Sequence, residues 1–134
     1  MDFEYIIIDG GSSDGSKEII QEHESRLSYW ISEPDKGVFH AMNKGIQMAK
    51  GEYLLMLNSG DVLYDKDVLK QVFSNNNLDE DLVYGDVFRE SKGKIFTESK
   101  FPDILTFLFL HDGAISHQAA FIKRTLHETV GLYD

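Results

Sequence analysis

The chain has 134 residues, 42% of them hydrophobic and 27% charged, which suits one globular domain with a core and excludes a disordered tail or a collagen-like repeat. Thirteen Lys and Arg stand against 23 Asp and Glu, a formal net charge of −10, so duplex nucleic acid is repelled at long range and is not expected as a partner. Cysteine is absent, which removes disulfides and thiolate metal sites; the longest apolar stretch, Ile104 to Leu110, is far shorter than the roughly 20 residues of a membrane span; and with no basic, apolar secretory start a cytoplasmic setting is the default.

Phe3 to Ile8 is β-branched and aromatic with consecutive apolar residues, the habit of a strand buried on both faces. It stops at Asp9, and Gly10-Gly11-Ser12-Ser13-Asp14-Gly15 forms a turn cluster. The pattern then predicts a helix from about Ser16 to Arg26, with Asp14 as N-cap and Ile19, Ile20 and His23 facing the sheet. Tyr29 to Ile31 reads as a second strand. Val38, Ala41, Met42, Gly45, Ile46 and Ala49 fall on one face of a helix over Val38 to Lys50, with Gly51 as its left-handed C-cap.

Tyr53 to Leu57 reads as another buried strand, and with the helix before it completes a right-handed βαβ unit. A short helix is expected over Asp67 to Phe73, closed by Asn75, Asn76 and Asn77. Leu82 to Phe88 is strand-like, and Ser91-Lys92-Gly93-Lys94 turns a hairpin into Ile95 to Glu98. Asp103 to Leu110 reads as a helix opened by Pro102, Ala119 to Ile122 as a strand, and Lys123 to Val130 as a helix stopped by Gly131. The fold class expected is α/β, a mainly parallel sheet flanked by helices with an antiparallel edge. Phe107, Leu108, Phe109 and Leu110 are either core or an exposed surface suited to self-association or a nearby membrane.

In an open parallel sheet, ligands bind beyond the carboxyl ends of the strands. Two predicted strands end there in an acidic residue among small ones: Asp9 beside Gly10-Gly11, and Asp61 after Ser59-Gly60. Such glycines let a ligand approach the backbone, and the carboxylates can accept from a ribose or base, or hold a divalent cation that bridges a diphosphate. The bland reading is that Asp and Gly merely make turns. A P-loop is excluded by order, since Ser16 precedes Lys17 where that loop needs Lys directly after its second Gly. The five histidines have no zinc-binding spacing, and His117 with Gln118 either borders an acceptor or is a hydrogen-bonded structural pair.

The run Ile6-Ile7-Ile8-Asp9-Gly10-Gly11-Ser12-Ser13-Asp14-Gly15-Ser16 resembles the nucleotide-binding segment of family 2 glycosyltransferases, a hydrophobic strand followed by D-D-G-S-T-D-G-T. Pro34 to Ile46, Gly51-Glu52-Tyr53 and Asn58-Ser59-Gly60-Asp61 resemble the stretch that ends in the family's D-x-D motif. Ser116 to Phe121 and Gly131-Leu132-Tyr133-Asp134 also match, so the likeness covers nearly the whole chain in order. It implies a GT-A fold in one incomplete domain over 1–134, and inverting transfer from a UDP- or GDP-sugar to a saccharide or lipid-linked hydroxyl acceptor in surface polysaccharide synthesis.

By the same resemblance Asp9 contacts the base or ribose, with Gly11 beside it; Asp35 and Lys36 line the nucleotide pocket; and Asp61 faces the diphosphate and a Mg²⁺ or Mn²⁺ ion. Gly10 stands where a second Asp is common, and Asn58-Ser59-Gly60 occupies the D-x-D positions, which leaves Asp61 as the one carboxylate there. Both ends read as cut relative to the family, whose base lies shortly after the Gly-Leu-Tyr-Asp segment, so no catalytic base is assigned. Asp86 reads as a turn or metal-proximal residue. A homo-oligomer, possible membrane association and a non-catalytic nucleotide-binding or interaction domain stay open as alternatives.

Overall fold

The computed structural model of the chain describes residues 3–74 and 78–134, with the backbone alone for residues 97 and 98. The chain is mixed α/β and forms two compact units, one of residues up to 54 together with 124–134, the other of 55–123.

In the first unit, β1 (Ile6–Asp9) and β2 (Tyr29–Ser32) pair in parallel, with Ile6 opposite Tyr29 and Asp9 opposite Ser32. Between them runs α1 (Ser16–Glu22), followed by a 3-10 turn, Glu24–Arg26. The parallel strand–helix–strand unit is therefore built from β1, α1 and β2. The expected unit running from the second strand through the long helix into the third is not formed as one sheet, because β2 pairs with β1 alone among the described residues. Helix α2 (Val38–Met48) packs on β1 and buries Met42 and Ile46; Gly45 brings its backbone close to the Ile8 side chain. Strand β3 (Tyr53–Leu55) follows, with Leu54 buried.

The N-cap of α1 is Gly15, not Asp14, whose carboxylate sits one residue earlier and accepts from Ser16 N–H at 3.1 Å and Ser16 Oγ at 2.7 Å. Ile19 and His23 are exposed, because a helix of two turns turns only Ile20 inward. Gly51 is not a left-handed cap: α2 ends at Ala49 in an extended conformation, and Glu4 Oε2 takes the N–H groups of Lys50 and Gly51 at 2.7 and 3.0 Å. The third strand stops at Leu55, two residues short of Leu57, which is exposed.

The second unit is antiparallel. Helix α3 (Val68–Val72) starts at Asp67, and the expected stop at Asn75, Asn76 and Asn77 lies outside the described residues. The strand expected over Leu82 to Phe88 is two, β4 (Leu82–Tyr84) and β5 (Val87–Ser91), broken at Gly85-Asp86. β5 pairs antiparallel with β6 (Lys94–Ser99) across a two-residue turn in which Lys92 and Gly93 both have positive φ, 52° and 72°. β4 pairs antiparallel with β7 (Ala120–Lys123), and Phe121 on β7 meets Phe73 edge to face at 5.4 Å. A mainly parallel sheet is thus not what forms: β1 and β2 are parallel, whereas the two pairings within 55–123 are antiparallel, as a two-residue hairpin loop demands of β5 and β6.

Helix α4 (Phe107–Asp112) begins later than Pro102 suggested, because the Thr106 hydroxyl caps it by accepting from Phe109 N–H at 3.2 Å. Phe107, Leu108 and Leu110 on this helix are exposed, Phe107 by 85%. The chain closes with α5 (Arg124–Val130), stopped by Gly131 at φ +110°. No helix among the described residues is long and apolar enough to cross a membrane.

Candidate functional site

The carboxyl end of β1 presents Asp9, and its side chain organises the turn that follows. Oδ2 accepts from Gly11 N–H at 3.2 Å, Ser12 N–H at 3.0 Å and Ser32 Oγ at 2.6 Å, while Oδ1 accepts from Ser12 Oγ at 2.5 Å. Hydrogen bonds to the charged form favour it, so the Ser12 hydroxyl first and the Ser32 hydroxyl second hold the Asp9 carboxyl below its ordinary value, against a smaller opposing effect of burial. Parallel pairing sets Ser32 at the end of β2 opposite Asp9, so two strand ends share one polar cluster. A carboxylate has about four acceptor positions. Oδ2 is saturated, and Oδ1 keeps one direction open to a ligand.

Asp35 joins this cluster. A methyl group at Gly10 would lie 2.7 Å from Asp35 Oδ2 and 3.2 Å from its Cγ, so the Asp35 carboxylate rests against the Gly10 backbone. This explains why Gly stands at a position where the resemblance leads one to expect Asp: the space is already taken by a carboxylate. Asp35 Oδ1 accepts from Gly37 N–H at 2.8 Å, which fixes the entry to α2. Lys36 is exposed, and its backbone N–H points at His40 Nδ1 at 3.4 Å. Asp9, Gly10, Gly11 and Asp35 therefore meet in one loop cluster of the first unit, and Lys36 follows Asp35 in the chain.

Asp61 belongs to the second unit and is held differently. Asn58-Ser59-Gly60-Asp61 is a turn closed twice, by Asp61 N–H to Asn58 O at 3.0 Å and by Asn58 N–H to Asp61 Oδ2 at 2.9 Å, with Gly60 at φ +94°. Oδ1 of Asp61 makes no hydrogen bond to a described residue. The Asn58 amide nitrogen faces His117 Nε2 at 3.1 Å, so with the amide donating, the ring nitrogen accepts. The Ser116-His117-Gln118 segment, a 3-10 turn at His117–Ala119, is thereby joined to the turn that carries Asp61. Among the described residues no group of three or more His, Asp or Glu converges on one point. A cation at this turn would have one carboxylate from the protein, the kind of site Mg²⁺ occupies when phosphates of a substrate complete its shell.

Two contacts escaped the sequence reading. Asn43 on α2 clasps the final segment, donating from Nδ2 to Tyr133 O at 2.7 Å and accepting from Tyr133 N–H at 3.0 Å. The Tyr133 ring stacks on Phe39 at 5.6 Å, and its burial raises the phenol pKa. Nothing in the spacing of Asn43 signals this, since it lies off the apolar face of α2. Ser32 was legible only as a strand end; its partner Asp9 is 23 residues away and emerges from strand register. Asp86, read as a turn or metal-proximal residue, lies in the break between β4 and β5, its Oδ1 accepting from Phe101 N–H at 3.0 Å.

The sequence model of Glycosyl transferase family 2 matches residues 1–130. The chain is 37% identical over 138 aligned positions to proteins of Mycobacterium bovis and Mycobacterium tuberculosis named PGL/p-HBAD biosynthesis glycosyltransferase, an alignment covering 99% of this chain and 52% of theirs. A Methanocaldococcus jannaschii protein named as an uncharacterized glycosyltransferase is 31% identical over 105 positions, 74% of this chain and 36% of its own length. The chain thus spans about half the length of the mycobacterial relatives it matches. No solved structure matches it.

Proposed function

The chain belongs to Glycosyl transferase family 2, and we propose that it contributes the donor-binding part of an inverting transferase that moves a sugar from a nucleotide-diphosphate donor to a hydroxyl acceptor. One observation carries the reading: Asp9 sits ionised at the end of a parallel strand, braced by four hydrogen bonds, with Gly10-Gly11 and the Asp35 carboxylate beside it. A ribose hydroxyl or base N–H would donate to the remaining direction of Oδ1, and Asp35 and Lys36 would flank the nucleotide. Asp61 would serve the diphosphate. A bound Mg²⁺ or Mn²⁺ would neutralise the diphosphate leaving group, with Asp61 Oδ1 as its protein ligand.

In the transfer, the acceptor oxygen bonds to the anomeric carbon as the bond from that carbon to the β-phosphate oxygen breaks; the nucleoside diphosphate leaves with the electron pair, and the acceptor proton passes to a base. Relatives named PGL/p-HBAD biosynthesis glycosyltransferase support placing the reaction in a biosynthetic glycosylation. Calorimetric titration with UDP- and GDP-sugars, with and without Mn²⁺, tests donor binding, and release of UDP or GDP in the presence of an acceptor tests transfer. Saturable binding of one donor is expected. Absence of binding at millimolar nucleotide sugar overturns the proposal, and binding without release of UDP or GDP makes the chain a nucleotide-binding domain.

A further inference from the structure

Within the second unit an open pocket of about 500 Å³ begins at the residue after Asp61. Val62, Leu63 and Tyr64 line it as the chain leaves the Asp61 turn, and Val83, Ile95 and Phe121 line it from the strands. Much of this apolar surface faces water: Val62 is 84% exposed and Ile95 62%. The Tyr64 ring lies 5.0 Å from that of Phe88. Gln118 also lines the pocket, and its neighbour His117 is bonded to Asn58 of the turn. The pocket therefore adjoins the group assigned to the diphosphate, within a single unit.

Its charge pattern narrows the ligand. Asp86 and Glu90 line the pocket, and no Lys, Arg or His does so among the described residues. A phosphorylated or carboxylated molecule would meet two carboxylates with no cation to offset them. A bare sugar would leave the apolar wall wet, forfeiting the gain from covering it. A volume of this size suits the apolar part of a small molecule, with a few polar groups to orient it. We propose that this pocket receives the hydrocarbon or aromatic part of an uncharged acceptor, whose hydroxyl then faces the Asp61 turn. The role of that molecule as acceptor rests on the transferase reading; the preference for an uncharged amphiphile rests on the pocket alone.

The test is calorimetric titration of the full chain, below micelle-forming concentration, with octyl β-glucoside and with octyl phosphate. The uncharged amphiphile should bind at least tenfold more tightly. The double variant Val62→Gln/Ile95→Gln places uncharged polar groups on two exposed side chains of the pocket wall, adding no charge beside Asp61 or opposite Glu90. It should weaken octyl β-glucoside at least fivefold while the circular dichroism spectrum and nucleotide-sugar affinity stay unchanged. Equal affinity for the two amphiphiles, or a double variant that binds like the unaltered chain, overturns the proposal. The nucleotide titration separates the two readings: pocket failure with donor binding intact removes the pocket assignment alone, whereas pocket binding without donor binding removes the acceptor role and keeps the site.

Discussion

Asp9 and Asp61 look equivalent in the sequence, each following a strand beside glycine, yet the protein treats them differently. Asp9 takes four hydrogen bonds, two of them from serine hydroxyls, one of which reaches across from the neighbouring strand. Asp61 takes one, from the N–H of Asn58 in its own turn, and keeps Oδ1 free of described partners. Hydrogen bonds to both oxygens fix a carboxylate and make it a frame for the surrounding loop; an oxygen with no partner leaves it able to bind a cation. The difference teaches that one carboxylate is tied into its loop while the other keeps an oxygen free; under the proposed function the first would prepare a surface for the nucleoside and the second would serve the diphosphate end.

The largest effect should come from Asp9→Ala. It strands the hydroxyls of Ser12 and Ser32 and the N–H groups of Gly11 and Ser12, removes the frame of the loop, and costs about 1–2 kcal/mol of stability. Nucleotide-sugar affinity should fall by more than tenfold, equally with and without Mn²⁺. Asp61→Ala should fall next: roughly a tenfold loss with Mn²⁺ present and little change without it, since the role proposed for Oδ1 is to hold the cation. Titration of both variants with and without metal reads the contrast directly. Equal losses for both variants under both conditions would erase the division of roles.

A smaller effect tests how the Asp9 cluster is filled. Gly10→Ala drives a methyl group into the Asp35 carboxylate, which can swing away because it is the end of a side chain. Folding stability should change by less than about 1 kcal/mol, while donor affinity drops several-fold as Asp35 leaves its place. The double variant Gly10→Ala/Asp35→Ala should show no further loss beyond Asp35→Ala alone. Additive losses would mean that Gly10 matters for something other than room for Asp35.

How much of this the sequence disclosed depended on distance along the chain. The Asp9 loop was legible because strand, carboxylate and glycines are consecutive, so local propensity and tertiary role agree. The hairpin at Lys92-Gly93 and the stop at Gly131 were legible for the same reason. What depended on pairing between distant segments was not. Ser32 reaches Asp9 only through the β1–β2 register, and Glu4 displaces the expected Gly51 cap by taking N–H groups 46 and 47 residues away. The antiparallel pairing of β4 with β7 was not legible, because a continuous apolar run signals burial but not strand direction. The pocket beside Asp61 was invisible for a related reason: Val62, Ile95 and Phe121 share a wall only once β4, β5, β6 and β7 have formed.

The subtlest prediction concerns acidity, and it separates the two hydroxyls that hold Asp9. The folded-state pKa of Asp9 lies below its ordinary 3.8, so its ionised form stabilises the native chain above that value, and the contribution is lost as pH falls through the folded pKa. Ser12 is the largest cause and Ser32 the second. Ser12→Ala should therefore move the Asp9 titration upward toward 3.8, and Ser32→Ala should move it less. Carbon-13 detection of the Asp9 carboxyl between pH 2 and 6 measures both shifts, and thermal melts over the same range should show the acid limb of unfolding rising in the same order. If Ser32→Ala moves Asp9 more than Ser12→Ala does, the neighbouring strand and not the local turn is what holds the carboxylate ionised, and the site is tuned by sheet register instead of by the loop itself.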